Sequence, residues 1–263
     1  MGLCNDQSVT FLKGLGYNVV RHPNAVLKPL DLIGIQNKES GYLGPLNLLI
    51  TKPPGQLPAT NKDIAAANIN GKKSSKLSIG IGVNILGSVI GAMGGNLGAD
   101  LSYTDAKTVE FQYSDVTNDE VVPLEVGNYL RDGEVDSGNL ILKQYVLGNG
   151  KLYLVTKTAK SKKFTVSFER SNGTGAKVDV PIIQAAVGGK IEVKVDSTSK
   201  HVVTFEGSQP LVFGFQCYQV GVRDGNLNLV AVKSGGVPLS VTDEAGDAAS
   251  PTLLDEEGLL DLA

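Results

Sequence analysis

The chain has 263 residues, enough to bury a substantial core as one large domain or two small ones, and its 41% hydrophobic and 19% charged content is that of a globular protein. Its formal charge of −3, with basic residues not interleaved with aromatics, argues against nucleic acid as a partner. Two cysteines, Cys4 and Cys217, exclude a disulfide framework or a four-ligand zinc site, and 32 glycines with no tryptophan favour strands and turns over a helix bundle.

From the start, Met1-Gly2-Leu3-Cys4-Asn5-Asp6 lacks the basic and apolar regions of a secretion or lipoprotein signal. Asp6 also stands where N-myristoylation requires Ser or Thr, so the chain is expected to stay in the cytoplasm at first. Asp6 caps a predicted helix over residues 7–15, ended by Gly14 and Gly16. Strands are expected over 16–21 and 30–35, then an apolar stretch over 46–51 closed by Pro53-Pro54-Gly55. Ile64-Ala65-Ala66-Ala67 suggests a short helix within 61–68, residues 103–113 a strand, and 121–129 a further helix.

The second half is dense in hairpin patterns. Strands over 140–147 and 152–157 flank Gly148-Asn149-Gly150, and strands over 164–169 and 177–183 flank Ser171-Asn172-Gly173-Thr174-Gly175. Strands over 191–195 and 201–205 flank residues 196–200, and strands over 211–220 and 227–232 flank Arg223-Asp224-Gly225-Asn226. Cys217, inside the apolar run 211–220, is expected to be a buried structural thiol. The whole predicts an α+β fold, a mostly antiparallel sheet with short helices outside it.

Enzyme patterns are missing. His22 and His201 are the only histidines, with no HExxH, no Cys–His spacing and no G-x-S-x-G elbow. Gly80-Ile81-Gly82-Val83-Asn84-Ile85 lacks the third glycine of a dinucleotide fingerprint and the Lys-Ser/Thr ending of a P-loop. No enzyme and no metal site is expected.

Three features point to a membrane instead. Residues 77–99 carry no charge, yet seven glycines make them a poor spanning helix. Leu77, Ile79, Ile81, Val83 and Ile85 alternate with small or polar residues, as a barrel strand with one lipid face does, whereas residues 85–93 suit a close-packing helix. The segment is expected to be helical in one state and extended in another. Second, Lys72, Lys73 and Lys76 precede it, while Lys157, Lys160, Lys162 and Lys163 precede the Phe164 hairpin, positions suited to anionic headgroups. Third, after Lys233 there is no basic residue but there are seven acidic ones, Asp243, Glu244, Asp247, Asp255, Glu256, Glu257 and Asp261. Taking those seven from the 27 acidic residues leaves 20 against 24 basic ones, which turns −3 into +4. Residues 234–251 are small and turn-forming, suited to a cleavable linker, and Leu253, Leu254, Leu259, Leu260 and Leu262 give the end an apolar side that can dock.

With these residues in view, the chain resembles a bacterial gasdermin across nearly its whole length. The likeness is carried by Met1-Gly2-Leu3-Cys4, by Phe11-Leu12-Lys13-Gly14-Leu15-Gly16-Tyr17-Asn18-Val19-Val20-Arg21 and by Leu27-Lys28-Pro29-Leu30-Asp31-Leu32-Ile33-Gly34. The Gly-rich stretch 79–98 and Phe111-Gln112-Tyr113-Ser114-Asp115-Val116 extend it, and the match lies in order and length rather than in one motif.

The resemblance implies a twisted central antiparallel sheet with short peripheral helices, as in the gasdermin N-domain. It implies a pore-forming domain over 1–233, an exposed cleavable linker over 234–251 and an autoinhibitory peptide over 252–263. A protease, caspase-like or of another class and encoded nearby, would remove the peptide. The cytoplasmic precursor would then oligomerise in the anionic inner membrane into a large pore and kill the cell in defence against phage. No cofactor is implied beyond a palmitoyl group on Cys4. Leu77, Ile79, Ile81, Val83, Ile85, Val166 and Phe168 would face lipid, and Lys72, Lys73, Lys76, Lys160, Lys162 and Lys163 its surface. The competing expectation is a β-rich carrier of a lipid or other apolar ligand.

Overall fold

The computed structural model describes residues 12–37, 39–71, 76–92, 106–136, 138–176, 191–195, 201–223, 225–230 and 251–254. In chain order its strands are β1 (Asn18–Asn24), β2 (Asp31–Gln36), β3 (Glu39–Pro45), β4 (Ile50–Lys52), β5 (Asn61–Ala65) and β6 (Leu77–Ser78). After helix α1 (Ile79–Ala92) come β7 (Thr108–Ser114) and β8 (Thr117–Glu120), then helix α2 (Pro123–Asp132) and β9 (Glu134–Val135). A π-helical turn (Leu142–Val146) leads into β10 (Lys151–Glu169), β11 (Ile191–Val195), β12 (Val202–Arg223) and β13 (Asn226–Val230). Among the described residues eleven strands form one sheet, and β4 and β9 form a separate pair.

Two strands organise this sheet. β10 and β12 run antiparallel from Leu152↔Val220 to Ser167↔Val202, with register shifts between Val155 and Lys157, Ala159 and Lys160, and Ser161 and Lys163. Such bulges add local twist and let one long strand serve several neighbours. The other edge of β10 takes β2 at Lys151–Leu154, β8 at Lys157–Lys160 and β7 at Lys163–Glu169. All are antiparallel, which gives the α+β architecture expected. The hairpins β11–β12 and β12–β13 form as read, the second with Gly225 at φ 82. The turn after β10 also forms, closed by Arg170 N–H on Thr174 O at 2.8 Å and Ala176 N–H on Phe168 O at 2.9 Å. The expected returning strand over 177–183 lies outside the described residues.

Two expectations are corrected, and a third segment takes one of its two expected forms. Of residues 77–85, Leu77 and Ser78 pair as β6 and α1 begins at Ile79, so the segment is in the helical form here. The alternation there is overridden by a helical stripe, Gly82, Leu86 and Ile90, each four residues on, which faces the sheet. Gly82 permits the contact, because a Cβ there would stand 2.6 Å from Val109 Cβ. Leu86 and Ile90 then join Val109, Phe111, Val166, Phe168, Val203 and Phe205 in one buried cluster.

Residues 61–65 form β5 rather than a helix, paired with β8 through Asn61↔Glu120, Ile64↔Asn118 and Ala65↔Thr117. Asp63 sits at φ 57 with its N–H on the Asp119 carboxylate at 2.9 Å, and a run of three alanines is too short to nucleate a helix against that pairing. Residues 140–147 are helical, not one arm of a hairpin. Ile141, Leu142, Tyr145 and Val146 recur at helical spacing against a core that α2 shares. Gly148 closes that turn, since a Cβ there would lie 2.7 Å from Lys143 O.

Candidate functional site

The edge of β12 turned away from β10 has four occupants in succession. β11 pairs residues 203–207, β1 pairs residues 212–215, and β13 pairs residues 219–223. β1 begins at Asn18, opposite Phe215, and so leaves the main chain of Cys217 without a strand partner on this edge. The C-terminal segment fills that place. Thr252 bridges Cys217 antiparallel, its N–H donating to Cys217 O at 2.7 Å.

The slot has a polar wall and an apolar floor. Asn18, only 1% exposed, donates Nδ2–H to Thr252 O at 2.9 Å, and its Oδ1 accepts the N–H of Leu254 at 2.7 Å. Lys13 Nζ reaches Leu254 O at 3.5 Å. Below them Leu254 is buried with Val20, Leu27, Ile33, Tyr153, Val155, Val212, Phe215 and Cys217. The Cys217 Sγ lies 3.6 Å from both Thr252 O and Asn18 Nδ2, and complete burial pushes its thiol far above the usual range. Cys217 is thus an inert, buried thiol as expected.

Of the expected docking leucines, Leu254 is buried and Leu253 exposed, because neighbouring side chains on an extended segment point opposite ways. Leu259, Leu260 and Leu262 lie outside the described residues, as do Cys4, Lys72 and Lys73. Asn18 was not anticipated. Its trace in the sequence is a single amide between Tyr17 and Val19-Val20, at the start of strand β1.

The positions expected to face lipid divide in two. Leu77 lies in β6, and Ile79, Ile81, Val83 and Ile85 lie in α1, with Ile79 and Val83 half-buried. Val166 and Phe168 are fully buried on β10, in the cluster that α1 covers. Among the described residues no helix is long and apolar enough to cross a membrane. The basic positions divide too. Lys162 is exposed, but Lys160 is 13% exposed and bonded to Asp119 at 2.8 Å and Asp63 at 2.9 Å. Lys76 pairs with Glu169, and Lys157 with Glu120 at 2.6 Å. In this conformation Lys160 faces carboxylates on β5 and β8 rather than solution. Burial pulls the Lys160 ammonium down, but the Asp119 and Asp63 carboxylates outweigh it and hold it above the usual lysine range.

Comparison with known proteins agrees with this fold. The sequence model of the Bacterial Gasdermin Family matches residues 20–226. A gasdermin from Vitiosangium sp. (strain GDMCC 1.1324) is 48% identical over 100% of this chain and 99% of its own length. A gasdermin from a Desulfuromonadales bacterium is 35% identical, covering 96% of each chain. The solved structure of a bacterial gasdermin from Bradyrhizobium tropiciagri shares the fold, with a TM-score of 0.59 at 18% identity over 85% of this chain and 90% of that one. The chain therefore belongs to the bacterial gasdermin family, a family of pore-forming proteins.

Proposed function

We propose that this chain is an autoinhibited pore precursor, held inactive by its own C-terminal segment and released when a protease cuts within residues 234–251. The observation that carries this reading is the seating of residues 251–254 in the gap of the β12 edge, with Leu254 in the core. Once the linker is cut, the segment is no longer tethered, and its docking depends on free concentration rather than on the chain. The body left behind exchanges a net −3 for +4 if the cut precedes Asp243, and for 24 − 23 = +1 if it follows Asp247, which in either case favours an anionic inner membrane over the cytoplasm.

Insertion then requires rebuilding. α1 has 14 residues, about 21 Å at 1.5 Å each, short of a hydrocarbon core of about 30 Å. Crossing falls to strands instead, drawn from residues 74–108 and 160–194, and closure of many copies into one barrel pairs their main chains. Four glycines in α1 each cost about 0.5–1 kcal/mol relative to alanine, so this helix depends on its packing and is ready to be lost. Cys4 carries a palmitoyl group whose burial steadies the resting state, and the outcome in the cell is death in defence against phage. The family gives the carrier reading no support.

The test is dye release from anionic liposomes by the full chain and by chains ending after about Val237. Leakage by the shortened chain alone, slowed by added salt, is the expected result. A shortened chain that is monomeric and inert at low salt would falsify autoinhibition. For Cys4, the intact mass of protein made in bacteria should carry an acyl increment, removed by hydroxylamine and missing from Cys4→Ala. A bare polypeptide mass would remove the acyl group from the proposal.

A further inference from the structure

We infer that Asn18 is the residue that holds the C-terminal segment, and that it does so by gripping the main chain two residues apart rather than by selecting side chains. This deepens the autoinhibition reading and draws its biological meaning from it. A carboxamide presents a donor and an acceptor side by side, as a peptide unit does. Nδ2–H meets Thr252 O and Oδ1 meets Leu254 N–H, so the side chain stands in for one residue of a neighbouring strand placed opposite Leu253. The two partners fix the orientation of the amide, because one can only accept and the other can only donate. Both bonds are buried, where an unmade bond is expensive.

The segment's own chemistry fits that division of labour. Of the described residues 251–254, only Leu254 inserts a hydrophobic side chain into the apolar floor; Leu253 is 45% exposed and is not part of that cluster. Thr252 even opposes docking, since its Oγ1 is buried with no hydrogen-bond partner among the described residues. Over residues 251–254 the slot therefore takes an extended main chain and the side chain of Leu254, and Thr252 keeps the fit below its maximum. A segment gripped by its backbone and weakened at one hydroxyl is retained while tethered and lost when cut.

The experiment uses the full-length chain and reads two local signals. One is hydrogen exchange at the amides of Thr252 and Leu254. The other is alkylation of Cys217 by a small thiol reagent, located by peptide mapping, since that thiol is covered by Thr252. Asn18→Ala should speed both about tenfold or more, from the loss of two buried hydrogen bonds. Asn18→Leu, which keeps the volume and loses both bonds, should match it. Thr252→Val should act in the opposite direction, slowing both by about fivefold through removal of the unsatisfied hydroxyl. Amides in the distant half of the hairpin, around Phe164 and Phe205, should keep their wild-type rates in all three variants.

Wild-type rates at Thr252 and Leu254 in Asn18→Ala would overturn the assignment. So would an equal acceleration across all of β12, or rescue by leucine, either of which marks a general packing role. Unchanged or faster exchange in Thr252→Val removes the opposing hydroxyl. The liposome assay fails or succeeds separately: an inert shortened chain sinks autoinhibition and leaves the grip of Asn18 standing, whereas normal leakage with a dispensable Asn18 does the reverse.

Discussion

Gly82 is where α1 comes closest to the sheet, and adding one methyl there tests whether the helix is held by that approach. An alanine Cβ would sit 2.6 Å from Val109 Cβ and 2.9 Å from its Cγ2. Carbon atoms pack best at about 3.5–4.0 Å, so helix and strand must part by roughly 1 Å. Val109 cannot yield easily: it is fully buried and paired to Phe168 on β10 and to Leu77 on β6. Overpacking of this kind costs about 1–3 kcal/mol. The gain of alanine over glycine in a helix returns about 0.5–1 kcal/mol, leaving Gly82→Ala destabilised by roughly 0–2.5 kcal/mol. Gly80 is the internal control, since nothing lies within 4 Å of a Cβ built there. Gly80→Ala should keep only the gain, up to about 1 kcal/mol. Thermal melts of the full chain should separate the two variants, at about 2–4 °C per kcal/mol for a chain of this size. If α1 must leave the sheet before insertion, dye release after cleavage should be faster in Gly82→Ala and slower in Gly80→Ala. A Gly82→Ala protein that melts at or above Gly80→Ala would refute the close approach, and with it the account of why this glycine-rich segment is helical.

Leu254→Ala should weaken seating of the C-terminal segment by about 2–3 kcal/mol, whereas Leu253→Ala should change it little; the rate of limited proteolysis near the C-terminus measures both. Lys160→Ala should cost about 1–3 kcal/mol at neutral pH, because it strands the Asp119 carboxylate, itself 13% exposed, in a partly buried place. The Lys160 contribution is fully present below the ordinary lysine value of 10.5 and is lost as pH climbs through the raised folded value. The difference between wild type and Lys160→Ala in urea titrations should therefore be constant through neutral pH and shrink only in strong alkali, and a gap that closes by pH 8 contradicts the ion-pair account.

Strands whose partners are near in sequence were readable from residue pattern alone. β11, β12 and β13 follow one another around short turns, and alternation plus Gly225 identify them. What could not be read was decided by distant partners. Residues 77–85 alternate as a strand should, and which of their two expected forms this structure holds is set by Val109 and Phe168, a surface that a helix with glycine at position 82 covers. Gly148-Asn149-Gly150 suits a hairpin equally well as a helix end, and only the core shared with α2 decides between them. The length of β10 and β12 was also hidden, since their register shifts break the alternation into what look like separate strands. At the site, a docking leucine was legible because it is apolar in an acidic tail. Asn18 was not, because a carboxamide is common at strand starts and its partners lie 234 and 236 residues away.

The slot at Cys217 also sets an order in time. Its walls, Asn18 and Cys217, precede in the chain the segment that fills it, so the ribosome makes them first. A stop codon shortly before codon 251 leaves both walls and removes their occupant, which reproduces in the gene the cleavage proposed for the protein. In most chains of this length such a lesion trims a dispensable end or abolishes function. On the autoinhibited reading it should be a dominant gain of toxicity, so the codons just before 251 should tolerate interruption less well than many codons in the body.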